Sequence, residues 1–271
     1  MAGAPALGYL SGMTDTAGTG QVDLQTEAIW RDVLTNGHSH RLSFLPGTMR
    51  CTGCNVAMKG FGGRIVSMTS GIRQSRKNPN FCNLCDDSLP HGGAEVDIAV
   101  IFADVRGSTA LAEKVGPSAF AALLNRFYDA ASRALLPRRA MIDKMVGDEI
   151  VAIFFPNTGR DYHASAAHAA IDLLRLLGHG SPGGPWLPVG VGVNTGNAFA
   201  GRIGSGQVRD FTALGDTMNT CARLQAQAQA GEIVMSEHLY HEIESEHPGL
   251  ERRTFQLRGR EAEFQGRVLK M

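Results

Sequence analysis

Apolar residues recur along this chain with two different periods, and the switches between them outline its elements. Residues 95–105, EVDIAVIFADV, are almost continuous in Val, Ile and Phe. Such a run belongs to a strand buried on both faces. Residues 118–136, SAFAALLNRFYDAASRALL, place apolar side chains three and four apart, the stripe of an amphipathic helix. Alternation returns in MIDKMVGDEIVAIFF (141–155), which reads as two strands joined by a tight turn at a glycine. The pattern then predicts a helix over 161–178 ended by Gly178, strand–turn–strand over 187–204, a helix over 216–230 and a strand with a helical start over 231–239. RRTFQLRG and QGRVLK close the chain as short strands. This order predicts an α+β fold of ferredoxin-like βαββαβ type, an antiparallel or mixed sheet packed by helices.

The first third has a different texture. Residues 1–22 are small and Gly/Thr-rich, as a disordered tail would be. In LQTEAIWRDVLTNG (24–37), Ala28, Ile29, Trp30, Val33 and Leu34 fall at helical spacing, and Gly37 stands where a helix would end. DDSLPHGGAE (86–95) has the composition of a linker. The expected organisation is therefore a tail, an N-terminal unit over 23–90 and a larger domain over 95–271.

Four of the five cysteines form two pairs, Cys51/Cys54 and Cys82/Cys85, in the pattern C-x2-C-x27-C-x2-C. Paired C-x-x-C knuckles point to a bound metal. Structural Zn2+ and an iron–sulfur cluster, which would bring a redox input, both suit the spacing. From Arg50 to Cys85 there are six basic residues and no acidic ones, which offsets the net negative charge of a tetrathiolate zinc centre. The apolar residues of this stretch, chiefly Val56, Met58, Phe61, Ile65, Val66, Met68, Ile72 and Phe81, make too small a core to stabilise it unaided.

Net charge over the 271 residues is zero, so no global field steers the chain to nucleic acid or a membrane. No apolar run reaches the roughly 18–20 residues that span a bilayer. The N-terminus lacks a basic residue before its short apolar patch and does not read as a signal peptide, so a cytoplasmic protein is expected.

The chemistry concentrates at four places. Asp143, Lys144, Asp148 and Glu149 crowd one hairpin bend, either as plain surface charge or as part of a site for metal and phosphate. Asp104 ends the first buried strand and precedes VRGST. The backbone N–H groups from Val105 to Thr109 would then cradle phosphate oxygens, although an aspartate here also reads as a helix cap. With the hairpin beside the first strand, Asp104 and Asp148 converge. Two bare carboxylates ~4 Å apart repel by a few kcal/mol at an effective dielectric near 20, and a divalent cation such as Mg2+ relieves that. Asn219 and Arg223, four apart on one predicted helix, share a face. They are either a solvated pair or a phosphate-reaching arginine with its neighbour.

In FADVRGSTALAE, IDKMVGDEIVAIF, VGVNTGNAFAGRIG and FTALGDTMNTCARL, in this order, the chain resembles the class III adenylate/guanylate cyclase catalytic domain over about two-thirds of its length. The resemblance implies a role for each matching residue. Asp104, Asp148 and the Val105 carbonyl would bind two Mg2+ or Mn2+ ions, and Gly107, Ser108 and Thr109 would lie against phosphate. Lys144 and Thr212 would read the purine, and lysine at that position suits adenine, where guanine-reading members carry Glu. Asn219 would orient the ribose and Arg223 would stabilise charge on the α-phosphate. Arg258 falls where a triphosphate-binding lysine is common. The family composes each site from two subunits, so a homodimer converting ATP to cyclic AMP and pyrophosphate is implied. A guanylate cyclase, or a metal- or redox-sensing regulator with little cyclase activity, is the alternative. The chain departs from the family at Ser108, where an aromatic is frequent, and at Cys221, where a small apolar residue is usual.

Overall fold

The computed structural model describes residues 24–38, 40–76, 78–205, 208–256 and 263–271. The tail expected over 1–22 lies outside them. β1 (Gly92–Val105) is the hub of an eight-stranded sheet. It pairs antiparallel with β3 (Glu149–Phe154) on one side and β4 (Val189–Ser205) on the other. β2 (Met141–Val146) flanks β3, and β5 (Val208–Leu214) folds back on β4. Beyond β4 come β6 (Glu232–Ser236), which pairs parallel to it, then β8 (Phe264–Lys270) and β7 (Glu251–Phe255). The order β2-β3-β1-β4 of the first four strands is the ferredoxin-like arrangement that the alternation of strands and helices predicts.

Both faces of β1 are covered, which is why its apolar run is continuous. Ala99, Ile101, Ala103 and Val105 pack against α5 (Pro117–Leu135) and α6 (Tyr162–Leu176), through residues such as Phe127, Leu135, Ala170 and Leu174. Ile98 and Val100 face the other way, towards α7 (Asp216–Gln227), α1 (Leu24–Thr35) and the cysteine-bearing segment. That segment contains α2 (Gly60–Ser70) and α3 (Asn83–Ser88). α4 (Ser108–Val115) follows β1, and the helical turn α8 (Glu237–His241) follows the strand β6 instead of starting it.

Two expectations are corrected. Residues 187–204 are not strand, turn, strand, because β4 runs unbroken through Asn194-Thr195-Gly196 with Gly196 paired to Ile98. Gly196 is needed for another reason: its φ is +147°, and an added Cβ would lie 3.0 Å from the Thr217 hydroxyl on α7. The 86–95 segment is not a free linker either. It completes α3, turns at Leu89–Pro90 and enters β1 at Gly92. Arg202 of β4 holds it, donating to the Leu89 carbonyl at 2.6 Å and to both the carbonyl and the carboxylate of Asp86. The N-terminal unit and the sheet consequently share one apolar core. Trp30 of α1 is fully buried, its indole N–H on the Pro90 carbonyl and its ring 5.3 Å from that of Phe211 in β5.

Candidate active site

The C-terminal end of β1 and the β2–β3 hairpin meet at one corner. Asp104 is paired with Glu149, and the backbone N–H of Val105 donates to the Asp148 carbonyl at 3.2 Å. Gly147, in the left-handed region at φ +61°, and Asp148 form the two-residue turn. The Tyr128 hydroxyl secures it by donating to the Gly147 carbonyl at 2.6 Å. Burial, then the adjacent Asp148 carboxylate, pushes the Asp104 carboxyl up to about 6, against the pull of Arg106, whose guanidinium lies 3.2 Å away. Two carboxylates crowded on one another with a single guanidinium beside them form a donor set that fits a divalent cation.

Of the backbone N–H groups expected to cradle phosphate, two are already engaged. That of Val105 is on Asp148 and that of Arg106 is on the Pro188 carbonyl at 2.8 Å. Gly107, with φ +69°, Ser108 and Thr109 remain as the start of α4, so any phosphate cradle is shorter than the sequence reading allowed. Arg106 was missed by sequence reasoning, although its place two residues after Asp104 was a usable signal.

Thr212 of β5 reaches β2 beside Lys144. The register of β2 on β3 shifts between Ile142 and Lys144, so Asp143 is the extra residue of a bulge. Its carboxylate accepts the Thr212 hydroxyl at 2.9 Å. Burial pushes the Asp143 carboxyl up to about 6, with the Thr212 bond and Lys144 opposing. Thr212 on β5 is thus fastened to the residue next to Lys144, which is itself exposed. Asp143, to which the sequence reading gave no site role, is the link. Nothing in the sequence announces the bulge that turns it inward.

Asn219 and Arg223 lie on α7, whose seat on the sheet explains Cys221. The buried Cys221 thiol donates to the carbonyls of Val100 at 3.2 Å and Gly192 at 3.3 Å, one on each strand beneath the helix. Burial holds this thiol well above the usual range, so it is an inert packing and bonding group. Asn219 is exposed and Arg223 half-buried, and among the described residues neither side chain makes a hydrogen bond or ion pair. Arg258 lies outside the described residues.

The profile of the adenylate and guanylate cyclase catalytic domain matches residues 93–268, which covers every one of these groups. The chain belongs to this family. An adenylate cyclase from Anabaena cylindrica is 30% identical over 133 residues, 47% of this chain, and the match spans about a quarter (26%) of that relative's length. Among solved structures, the adenylyl cyclase CyaB of P. aeruginosa superposes with a TM-score of 0.56 at 26% identity, over 65% of this chain and 95% of its own. A guanylyl cyclase structure superposes equally, TM-score 0.56, at 24% identity over 65% of this chain and 93% of its own, a likeness of fold alone.

This cyclase-family domain is joined to a second candidate site. The four sulfurs of Cys51, Cys54, Cys82 and Cys85 all lie within 4.8 Å of one another, and none is in a disulfide. The second knuckle turns its backbone onto sulfur, the N–H of Cys82 donating to Cys51 Sγ at 3.2 Å and that of Cys85 to Cys82 Sγ at 3.5 Å. Neighbouring thiols that donate to Cys51 and Cys82 pull these two down, whereas Cys54 and Cys85, as the donors, are pushed up. Four converging sulfurs with backbone donors aimed at them fit a thiophilic cation. Arg50 and Arg139 border a cavity of about 190 Å3 beside Cys51. Both guanidinium groups donate to backbone carbonyls and, among the described residues, to no carboxylate. No helix among the described residues is long and apolar enough to cross a membrane.

Proposed function

We propose that this chain is an adenylate cyclase, converting ATP to 3′,5′-cyclic AMP and pyrophosphate in a homodimer. The observation that carries the choice of ATP is the junction of Lys144 and Thr212 through Asp143. Lysine at 144 would supply a donor for a ring nitrogen of adenine and the Thr212 hydroxyl an acceptor for its amino group, and the Asp143–Thr212 bond supports their acting on one base. Guanine presents an oxygen and a ring N–H in those places, for which a carboxylate at position 144 would be the better partner.

Asp104 and Asp148, with the Val105 carbonyl, would hold two Mg2+ or Mn2+ ions. When bound, such ions acidify the ribose 3′-hydroxyl and neutralise the leaving phosphates. The chain's own groups do the rest. Asn219 orients the ribose so that its 3′-oxygen stands in line with the α-phosphorus. The new O3′–P bond forms as the bond to the β-phosphate oxygen breaks, and Arg223 donates to the oxygens on which charge accumulates. Gly107, Ser108 and Thr109 lie where the phosphates pass. Asp104 and Asp148 of one subunit then serve with Lys144, Thr212, Asn219 and Arg223 of the other, so a twofold pair of chains carries two equivalent sites. At the cysteine centre we assign Zn2+, because the mutual spacing of four single sulfurs suits a tetrahedral ion; a redox-active iron–sulfur cluster is the competing occupant.

The test is turnover of ATP and of GTP with Mg2+ or Mn2+, with the products separated by chromatography. Cyclic AMP as main product is expected, and Lys144→Glu lowers ATP use. Asp104→Ala and Arg223→Ala are each inactive, the latter by about 10²–10³-fold, and mixed chains regain part of the activity. Faster formation of cyclic GMP overturns the choice of base, and verified heterodimers without recovery overturn the shared site.

A further inference from the structure

Two consecutive residues immediately ahead of Cys82 reach out of the cysteine centre, and each grips one of the two base-reading segments. Asn80 is the first. Its backbone carbonyl accepts the N–H of Thr52, which lies between Cys51 and Cys54, at 2.9 Å, so it is tied to the first knuckle. Its side-chain amide donates to the Ile142 carbonyl at 3.0 Å. Ile142 is the last regularly paired residue before the bulge that carries Asp143 and Lys144. Phe81 is the second. It is fully buried, and its ring meets that of Phe211, the neighbour of Thr212, edge-on at 5.0 Å between centroids.

We propose that Asn80 and Phe81 are positioning residues for purine recognition, and that metal binding at Cys51, Cys54, Cys82 and Cys85 sets the geometry of Lys144 and Thr212 through them. The inference rests on the reading of Lys144 and Thr212 as base readers and adds a means by which the cysteine centre regulates them. With the metal in place, the two knuckles are one rigid body and the 80–81 step is fixed relative to both. Asn80 then occupies a carbonyl beside a bulge, where a strand is most easily re-registered. Phe81 fixes the other segment by shape. Since Thr212 is bonded to Asp143, the two grips act on one joined unit. With the metal removed, the four thiols have no common partner, and the Asn80–Phe81 step loses the constraint that aims both side chains.

Two further ties hold this segment from outside β2 and β5. Arg202 grips Asp86 from β4, and Asn157 donates to the carbonyls of Val33 and Thr52 at 2.8 and 2.7 Å. They hold the segment on the sheet when the centre is empty, which is why metal loss is expected to loosen β2 and β5 without releasing the module.

The experiment compares the full chain loaded with Zn2+ and stripped by a chelator, using amide hydrogen exchange without nucleotide. Faster exchange in 141–146 and 208–214 is expected, with 232–236 and 264–270 unchanged. A rise confined to 50–88, or spread over the whole sheet, overturns the coupling. This arm reads the linkage whether or not the chain cyclises ATP. The second arm measures Asn80→Ala and Phe81→Leu with metal content verified. Each should raise the KM for ATP by about 2- to 10-fold and narrow its preference over GTP, while kcat at saturation falls less, as loss of one hydrogen bond or a packing contact would do. A lowered melting temperature with unchanged KM and base preference reduces both residues to structural roles. If the wild-type chain turns over neither ATP nor GTP, the base-reading assignment fails and the exchange result stands by itself.

Discussion

Burial holds the Asp143 carboxyl well above the usual carboxylate range, and this has a measurable consequence. Its folded pKa, about 6, lies above the ordinary 3.8, chiefly through burial. The folded chain therefore binds this proton more tightly than the unfolded chain. The stability so gained is complete below about pH 4 and is lost as pH rises through about 6. Asp143→Asn keeps an acceptor for the Thr212 hydroxyl and has no charge to bury. It should melt like the wild type at pH 4 and about 2–4 °C higher at pH 7; an equal offset at both pH values would place the effect elsewhere. The individual site residues were legible as types, because a carboxylate after a buried strand and an arginine on a predicted helix advertise chemistry. What joins them was not. Asp143 and the Cys221 thiol act through contacts with residues 69 and 121 positions away, and no local period records such pairs.

Among the elements, α7 has a tight seat on β4. A Cβ on Gly192 of β4 would lie 2.4 Å from the backbone nitrogen of Gln225 and 2.6 Å from the carbonyl of Cys221. Neither is a side chain that can swing away, so the helix itself must move. Gly192→Ala is expected to lift α7, which carries Asn219 and Arg223, lowering turnover at least tenfold and stability by about 1–3 kcal/mol. Gly183, where nothing lies within 4 Å of the added carbon, is the control, and Gly183→Ala should change neither. Urea unfolding and turnover on the two variants separate a packing effect from a general intolerance of alanine. Most elements were legible from periodicity: β1, the β2–β3 hairpin, α5, α6 and α7 all stand within a few residues of their expected places. The exception, β4, misled because Asn-Thr-Gly is turn chemistry in sequence, while here the strand runs on through a glycine whose φ of +147° L side chains rarely adopt.

At the scale of the molecule, the cyclase fold could be read from four ordered motifs, but the seating of the N-terminal unit could not. Its partners lie far downstream, the Pro90 carbonyl for Trp30, Ile142 of β2 for Asn80 and Arg202 of β4 for Asp86, at separations of 60, 62 and 116 residues, and composition alone made 86–95 look like a tether. A chain shortened to begin at Gly92, the natural cut if the family match were a free domain, would bare Val96, Ile98, Val100, Ala200 and Phe211. Such a contiguous apolar patch favours association. Poor soluble yield and large particles by light scattering are expected from the shortened chain, against a clean species from the full one; a well-behaved short form would show that the shared core is dispensable. The indole that sits in this seam has another use. The protein has two tryptophans. Trp30 is sealed between Phe81 and Phe211, with the Arg202 guanidinium 6.0 Å from its ring, while Trp186 is only partly covered beneath Arg126. With Trp186 replaced by Phe, the ultraviolet emission of the chain would come from one spot, in contact with the cysteine loop and with the strand that carries Thr212. Any loosening of that seam would admit water to the ring and redden its light, so the molecule holds an unlabelled optical gauge of its own junction.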